Sequence, residues 1–157
     1  MTSLSTMAQD GKATTIKKAF SRETTVSIEI AAHESIVWSL LTNAADYHRW
    51  NSTIISLEGE IVMNGRIQLK STLDEKRTFK LKIKTFLPEY YLEWGDGRGS
   101  RIFTLEKVEG GVIFKMSEKI GGVMFPMYAK YIPPFDESFE HFASDLKREA
   151  EIIQHAK

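Results

Sequence analysis

The chain has 157 residues, of which 42% are hydrophobic and 27% are charged, a composition typical of one globular domain with a single core. Its 21 basic and 21 acidic residues give a formal net charge of zero. Nucleic-acid partners and anionic membrane surfaces favour a basic surplus, so neither is predicted. The absence of cysteine excludes disulfides, thiolate catalysis and cysteine-ligated metals.

The N-terminal part of the chain is predicted to be a separate, flexible leader. Residues 1–20 are rich in polar and small side chains and show no periodicity that could bury one face. They lack the apolar centre of a signal peptide, and no apolar run in the chain approaches the roughly 20 residues of a membrane-spanning helix. We therefore expect a cytoplasmic protein without integral membrane association, with one folded domain over residues 21–157.

The first periodic segments predict one strand followed by two short helices. Residues 25–30 alternate apolar and polar side chains, which is the period of a half-buried strand. Residues 31–41 place apolar side chains at helical spacing, and a second short helical turn is predicted over residues 44–49.

The middle of the chain, residues 54–119, predicts strands only. Asn64-Gly65 and Gly110-Gly111 are tight-turn signals that separate alternating segments. The clearest strand covers residues 77–86, in which aromatic and aliphatic side chains fall on one face and lysines fall on the other. Short connections of this kind indicate an antiparallel meander.

The end of the chain differs in character. Residues 121–134 are apolar and irregular, and a long helix of about 20 residues is predicted to follow, with Pro133 and Pro134 at its start. Its apolar residues recur every three or four positions: Phe135, Phe139, Phe142, Leu146, Ala150 and Ile153.

These elements together predict an α+β fold. A curved antiparallel sheet of about seven strands would wrap around the long C-terminal helix, with two short helices after the first strand. A sheet that curls around one helix leaves room for a void between them, so the fold class predicts an apolar internal cavity.

Several strings of the sequence resemble the SRPBCC or START-like superfamily, which includes the major birch pollen allergen, and in particular its bacterial polyketide cyclase/dehydrase-like members. They are residues 34–50 (ESIVWSLLTNAADYHRW), residues 91–94 (YLEW), residues 125–127 (FPM) and the aromatic-rich final helix with its Leu146-Lys147 pair. The resemblance covers about residues 24–153. It implies a helix-grip fold, with residues 21–157 forming a START-like ligand-binding domain whose deep cavity requires neither metal nor nucleotide.

The sequence contains no signature of a catalytic or metal site. Nucleophile elbows, phosphate loops and dinucleotide fingerprints do not occur. The glycine-rich residues 95–99 precede a predicted strand, not a helix, so we interpret them as a surface loop. The four histidines do not share ligand spacing, and we expect no metal and no cofactor.

Three charged residues share strand faces with apolar neighbours and so could reach the cavity. Arg77, Arg101 and Glu118 each alternate in phase with aromatic or aliphatic side chains. Because an unpaired buried charge costs several kcal/mol, we expect pairing or exposure at the cavity mouth. Two interpretations stay open: all three lie at strand ends and reach water, or an Arg–Glu pair orients a ligand's carbonyl or carboxylate.

The predicted cavity wall combines these charges with aromatic and methionine side chains from the strands, the segment before the long helix and the helix itself. The candidates are Trp50, Arg77, Phe79, Leu81, Trp94, Arg101, Phe103, Phe114, Met116, Glu118, Met124, Met127, Tyr128, Tyr131, Phe135, Phe139 and Phe142. Within this set, Met124, Met127, Tyr128 and Tyr131 form either a flexible lid or a packed loop.

The leading hypothesis for function is binding or carriage of a hydrophobic small molecule, such as a lipid, an isoprenoid or a polyketide-like compound, by a monomer or homodimer. The alternative is a polyketide cyclase or dehydratase acting in the same cavity, with Arg77, Arg101, Glu118 or a tyrosine of the lid as working groups. A third class, a regulatory module acting by protein contact, would require an exposed apolar patch.

Overall fold

Eight antiparallel strands form one open sheet in the computed structural model, which describes residues 9–156. The strands are β1 (Thr14–Lys17), β2 (Ser21–Ile30), β3 (Ile54–Gly59), β4 (Arg66–Ser71), β5 (Asp74–Leu87), β6 (Tyr91–Gly95), β7 (Gly99–Val108) and β8 (Gly111–Gly121). The helices are α1 (Glu34–Thr42), α2 (Tyr47–Trp50), α3 (Phe125–Tyr128) and α4 (Asp136–His155), with single 3-10 turns at Ala44–Asp46 and Ala129–Tyr131. None of these helices is long and apolar enough to cross a membrane.

The strand order across the sheet is β1-β2-β8-β7-β6-β5-β4-β3. The chain therefore leaves β2, passes through α1 and α2 to the opposite edge, and returns strand by strand until β8 pairs with β2. The long helix α4 packs on the face of this sheet. The predicted α+β helix-grip architecture is confirmed, and so are the two short helices between the first long strand and the meander.

The N-terminal segment corrects one prediction. Residues 14–17, which we assigned to a flexible leader, form β1 along the edge of β2, and so the sheet has eight strands where about seven were expected. The prediction rested on missing apolar periodicity, but an edge strand is held by backbone pairing and needs no buried face of its own. Thr15 also donates a hydrogen bond from Oγ1 to Asp136 Oδ1 at 2.7 Å. Residues 1–8 of the predicted leader lie outside the described residues.

The helix α4 buries the apolar stripe that its sequence predicts. Phe139, Phe142, Leu146 and Ala150 are fully buried, at spacings of three or four residues. Asp145 is buried on the same helix, and its Oδ2 accepts hydrogen bonds from the backbone N and the Oγ of Ser52, each at 2.7 Å. This carboxylate fixes the connection between α2 and β3 against the helix.

Strand β5 contains an irregularity that keeps its apolar side chains on one face. Pairing with β6 shifts register between Ile83 and Thr85, so Lys84 is the extra residue of a β-bulge. Ile83 before the bulge is fully buried, and Phe86 after it contacts Trp38 with ring centroids 5.5 Å apart. Without the bulge, Phe86 would point to the opposite face from Ile83.

Candidate functional site

The centre of the space between sheet and helix is filled by aromatic side chains. The Phe142 ring of α4 lies 5.8 Å from that of Phe103 and 6.2 Å, stacked, from that of Phe114. Trp50 and Tyr47 approach the same ring from α2, with centroids 6.0 and 6.1 Å away. Contacts of this kind pack the centre of this space closely.

This packing corrects part of the predicted cavity wall. Six of the predicted wall residues are core residues and do not line the cavity: Trp50, Phe103, Phe114, Met116, Phe139 and Phe142. These six residues lie on the strand and helix faces that were predicted to point inward, but their side chains pack against one another there. The space between sheet and helix is therefore divided into a solid core and a separate void.

A cavity of about 460 Å³ lies beside this core, where α4 begins. It is bounded by the β4–β5 hairpin, the connection between β6 and β7, the end of β8 and the segment before α4. Its lining residues are Leu69, Ser71, Leu73, Asp74, Arg77, Phe79, Leu81, Trp94, Gly95, Asp96, Arg98, Gly99, Arg101, Glu118, Ile120, Tyr128, Tyr131, Ile132, Pro133 and Phe135.

Nine of the predicted wall residues do line this cavity. They are Arg77, Phe79, Leu81, Trp94, Arg101, Glu118, Tyr128, Tyr131 and Phe135. Three further lining residues, Leu69, Ser71 and Leu73 of the β4–β5 hairpin, are not among the predicted wall residues, although their alternation in phase with Ile67 was a signal that could have identified them. The glycine-rich residues 95–99, which we predicted to be a plain surface loop, also contribute to the cavity wall.

The boundary between core and cavity is one row of residues on four neighbouring strands. Thr24, Glu118, Arg101 and Trp94 lie opposite one another on β2, β8, β7 and β6, and we call them the site row. One row toward the core the side chains are apolar, while one row outward lies Ile120, which lines the cavity. Glu118, Arg101 and Trp94 of the site row line the cavity and form its floor, whereas Thr24 continues the row beyond the cavity wall.

The site row contains a buried ion pair. Arg101 Nε donates to Glu118 Oε1 at 2.7 Å, and the side chains are 8% and 22% exposed, respectively. The guanidinium carbon of Arg101 lies 4.9 Å from the centroid of the Phe139 ring, so its apolar face is stacked on the core. The two interpretations left open by the sequence apply to different residues. Arg101 and Glu118 form an ion pair on the cavity floor, whereas Arg77 is exposed at the cavity mouth.

Two donor groups of Arg101 remain free for a ligand. Within residues 9–156, its Nη1 and Nη2 atoms have no hydrogen-bond partner, and neither is sealed inside the protein. Arg101 itself lines the cavity, and neither of these unpartnered atoms is fully buried. They are donors only, so they select for an oxygen or another acceptor.

A second buried arginine, which the sequence analysis did not single out, holds the segment before α4. Arg22 of β2 donates to the carbonyl oxygens of Ile132 at 3.3 Å and Pro133 at 2.8 Å, and its guanidinium lies 4.8 Å from the Phe135 ring centroid. Burial lowers the pKa of Arg22, and the carboxylates of Asp136 and Glu118 partly offset this effect. Arg22 alternates in phase with Val26, so extending the predicted strand toward the N-terminus would have placed Arg22 on the inward face, without revealing its partners.

The predicted lid residues divide into two groups. Tyr128 is half-buried and Tyr131 is exposed, and both line the cavity. Met124 and Met127, in contrast, are exposed and lie outside the cavity wall. The segment is not irregular, because α3 and a 3-10 turn order it and Phe125 anchors it in the core.

The ionisable groups do not suggest a metal centre. Within the described part of the chain, no three histidine or acidic side chains come together as metal ligands would. The carboxylate of Asp96 is occupied by its own loop, since Oδ1 accepts from the backbone N of Arg98 at 2.8 Å and of Gly99 at 3.2 Å.

Fold and site together define a helix-grip protein whose cavity lies at one end of the long helix. Solved structures that share this architecture include the following three. A START superfamily protein from Mycobacterium smegmatis is 14% identical with a TM-score of 0.61, over 83% of this chain and 98% of that one. The di-domain ARO/CYC StfQ of the steffimycin biosynthetic pathway is 11% identical with a TM-score of 0.65, over 85% and 52%. DynU16 from the dynemicin biosynthetic locus is 14% identical with a TM-score of 0.63, over 84% and 48%.

The chain therefore has the START-like, or SRPBCC, fold that its sequence resembles. It matches about half the length of StfQ and of DynU16. No family model matches the sequence, and no curated protein matches it.

Proposed function

We propose that this protein binds a hydrophobic small molecule in the cavity above the site row. The observation that carries the proposal is an internal space of about 460 Å³, which lies within the range of about 300–1,000 Å³ that small-molecule sites occupy. Its walls are mainly aliphatic and aromatic, and a few polar groups converge on its floor. A lipid, an isoprenoid or a polyketide-like compound would match this combination of a large apolar surface and few polar contacts.

The position of the cavity supports the same proposal. An unfilled apolar cavity lowers stability, and an apolar ligand bound in it would offset that loss. Arg98 lies 5.8 Å from the Tyr128 ring centroid at the edge of the cavity. Tyr128 and Tyr131 both belong to the segment that covers the cavity. Displacement of this segment would open a route by which a ligand could enter.

Filling the cavity is expected to abolish binding. The Leu81→Trp variant places a larger ring in the wall, and we expect it to weaken binding of the apolar fluorophore Nile red by at least about tenfold, since a probe and the ring would occupy one volume. Titration of probe fluorescence measures this. Leu87→Trp is the matched control, because Leu87 belongs to the same strand, is exposed and does not line the cavity.

Equal probe affinities of the wild type and the Leu81→Trp variant would contradict the proposal. Organic extraction of the purified protein followed by mass spectrometry gives an independent measurement. A co-purified apolar compound that the Leu81→Trp variant lacks would support it.

The second candidate function is a cyclisation or dehydration of a poly-β-ketone in the same cavity. The observation that favours it is the pair of Arg101 and Glu118, which places a carboxylate beside free N–H donors. Glu118 would take the proton from a methylene group between two carbonyls, and the Arg101 N–H groups would stabilise the enolate oxygen. The enolate carbon would then attack a second carbonyl, whose oxygen would take the proton back from Glu118. The regenerated carboxylate would remove the remaining proton from the same carbon and pass it to the new hydroxyl group, which would leave as water.

An assay of poly-β-ketone cyclisation tests this second function. We expect Glu118→Gln to lower kcat by about 100-fold or more, because general-base contributions are typically of that size. Arg101→Met should lower it as well, with circular dichroism as the check on folding. Unchanged turnover in both variants would rule out these roles, while leaving the binding function intact.

A further inference from the structure

The charges around the cavity cancel. Among its lining residues are three arginines and three acidic residues, namely Arg77, Arg98, Arg101, Asp74, Asp96 and Glu118, and the lining contains neither lysine nor histidine. A cavity that takes an anion needs a surplus of positive charge, because burying an uncompensated charge is costly. This lining offers no such surplus.

The deep part of the cavity is neutral by itself. The Arg101 charge is already compensated by Glu118 at 2.7 Å, and both side chains are largely buried. Arg77, in contrast, is exposed at the mouth, with its guanidinium 4.6 Å from the Phe79 ring centroid. The surface arginines therefore do not supply the missing charge at the floor.

The second layer of charges behind the floor is also balanced. Arg22 interacts electrostatically with the carboxylates of Asp136 and Glu118. Its guanidinium is occupied by the carbonyl oxygens of Ile132 and Pro133. Asp136 accepts a hydrogen bond from Thr15, and Thr24 lies beside Glu118 in the site row. Two cations and two anions thus face one another here, and a ligand carboxylate would add a third negative charge.

The donors on the floor nevertheless call for an acceptor. Arg101 lines the cavity, and its Nη1 and Nη2 atoms have no partner within residues 9–156 and are not fully buried. A ligand that covered them with hydrocarbon would leave charged N–H groups without a hydrogen bond. A carbonyl oxygen satisfies them without adding charge.

We propose that the cavity takes a neutral ligand with a carbonyl oxygen, such as a ketone, an ester or a quinone, and discriminates against the carboxylic acid of the same shape. This inference rests on the proposed binding function. The carbonyl oxygen lies on the floor against Arg101, and the apolar body extends toward the mouth between Phe79 and Phe135.

Competition between isosteric ligands tests the inference. Two pairs are matched in size, 2-acetylnaphthalene with 2-naphthoate and 2-tridecanone with dodecanoate, and each is titrated against bound Nile red where the acid is fully ionised. We expect at least one ketone to displace the probe, with an affinity at least about tenfold higher than that of its acid. Acids that bind as tightly as their ketones, or the failure of both ketones to displace the probe, would overturn the inference.

A variant at the floor gives the converse result. Glu118→Gln removes the compensating charge while keeping the side-chain size, so Arg101 becomes an unpaired cation. We expect the affinity for the acids to rise by at least about tenfold, so that each ketone no longer binds more tightly than its matched acid. Glu106→Gln is the matched control, because Glu106 belongs to β7, is exposed and does not line the cavity. Unchanged acid affinity in Glu118→Gln would count against the inference.

Failure of the inference and failure of the proposed binding function are distinguishable. If Nile red does not bind, or if Leu81→Trp does not weaken its binding, the proposed binding function itself is wrong. If Nile red binds in the cavity but the acids compete as well as the ketones, only the ligand class is wrong. The wild-type comparison does not depend on the folding of any variant.

Discussion

Replacing Phe142 by alanine is expected to lower the free energy of unfolding by about 3–5 kcal/mol. The Phe142 side chain is fully buried, and its ring is the one that Trp50, Phe103 and Phe114 all contact. Removing it deletes apolar burial and leaves a cavity that the surrounding rings, carried by a helix and a hydrogen-bonded sheet, cannot close. Urea denaturation followed by tryptophan fluorescence measures the change.

The exposed Phe20 supplies a matched control for this experiment. Its side chain is 57% exposed, so Phe20→Ala should change the free energy of unfolding by no more than about 0.5 kcal/mol. A loss below about 1 kcal/mol for Phe142→Ala would mean that the centre of the sheet is not closely packed. The separation between solid core and cavity would then be incorrect.

Replacing Arg101 by leucine is the second large change, with an expected loss of about 3 kcal/mol. Breaking a buried ion pair by removing one partner typically costs about 3–5 kcal/mol. The lower end applies because Glu118 keeps 22% exposure and so retains some hydration. The variant leaves the carboxylate on the cavity floor without its cation, and denaturation with urea again measures the effect.

The double variant Arg101→Leu with Glu118→Leu separates the ion pair from the packing around it. Because it removes both charges, we expect it to recover most of the stability that Arg101→Leu loses. If the double variant is as unstable as the single one, the loss comes from contacts of the arginine side chain with Phe139 and not from the orphaned carboxylate. Arg77→Leu, at the exposed mouth, should be close to neutral.

The sequence predicted the faces of the strands well and the position of the cavity poorly. Alternation assigns Arg101 and Phe103 to one face of β7, and both side chains do point inward. Alternation contains no information about distance along the strand, however, and the neighbours opposite each residue decide between core and void. Phe103 lies opposite Leu92 and Met116, whereas Arg101 lies opposite Trp94 and Glu118.

Two further features could not be predicted because their signal is not apolar periodicity. Strand β1 has a single large apolar residue, Ile16, and that side chain is exposed, so backbone pairing alone identifies the strand. The Arg22 contacts join β2 to carbonyl oxygens more than 100 residues later in the chain. Such a contact depends on the assembled fold, and the sequence reveals only that an arginine occupies an inward position.

The order of the strands has a consequence for how the chain reaches this structure. Ser21 pairs with Gly121 and Ile30 pairs with Val112, so β2 finds its inner neighbour only after the whole meander has been synthesised. Until then β2 has just the short β1 beside it, and a two-stranded ribbon is marginally stable in water. Because pairing over such a long loop is slow, we expect the docking of β8 onto β2 to limit the rate of folding. During synthesis, the edge of β2 would then stay unpaired until β8 has emerged from the ribosome.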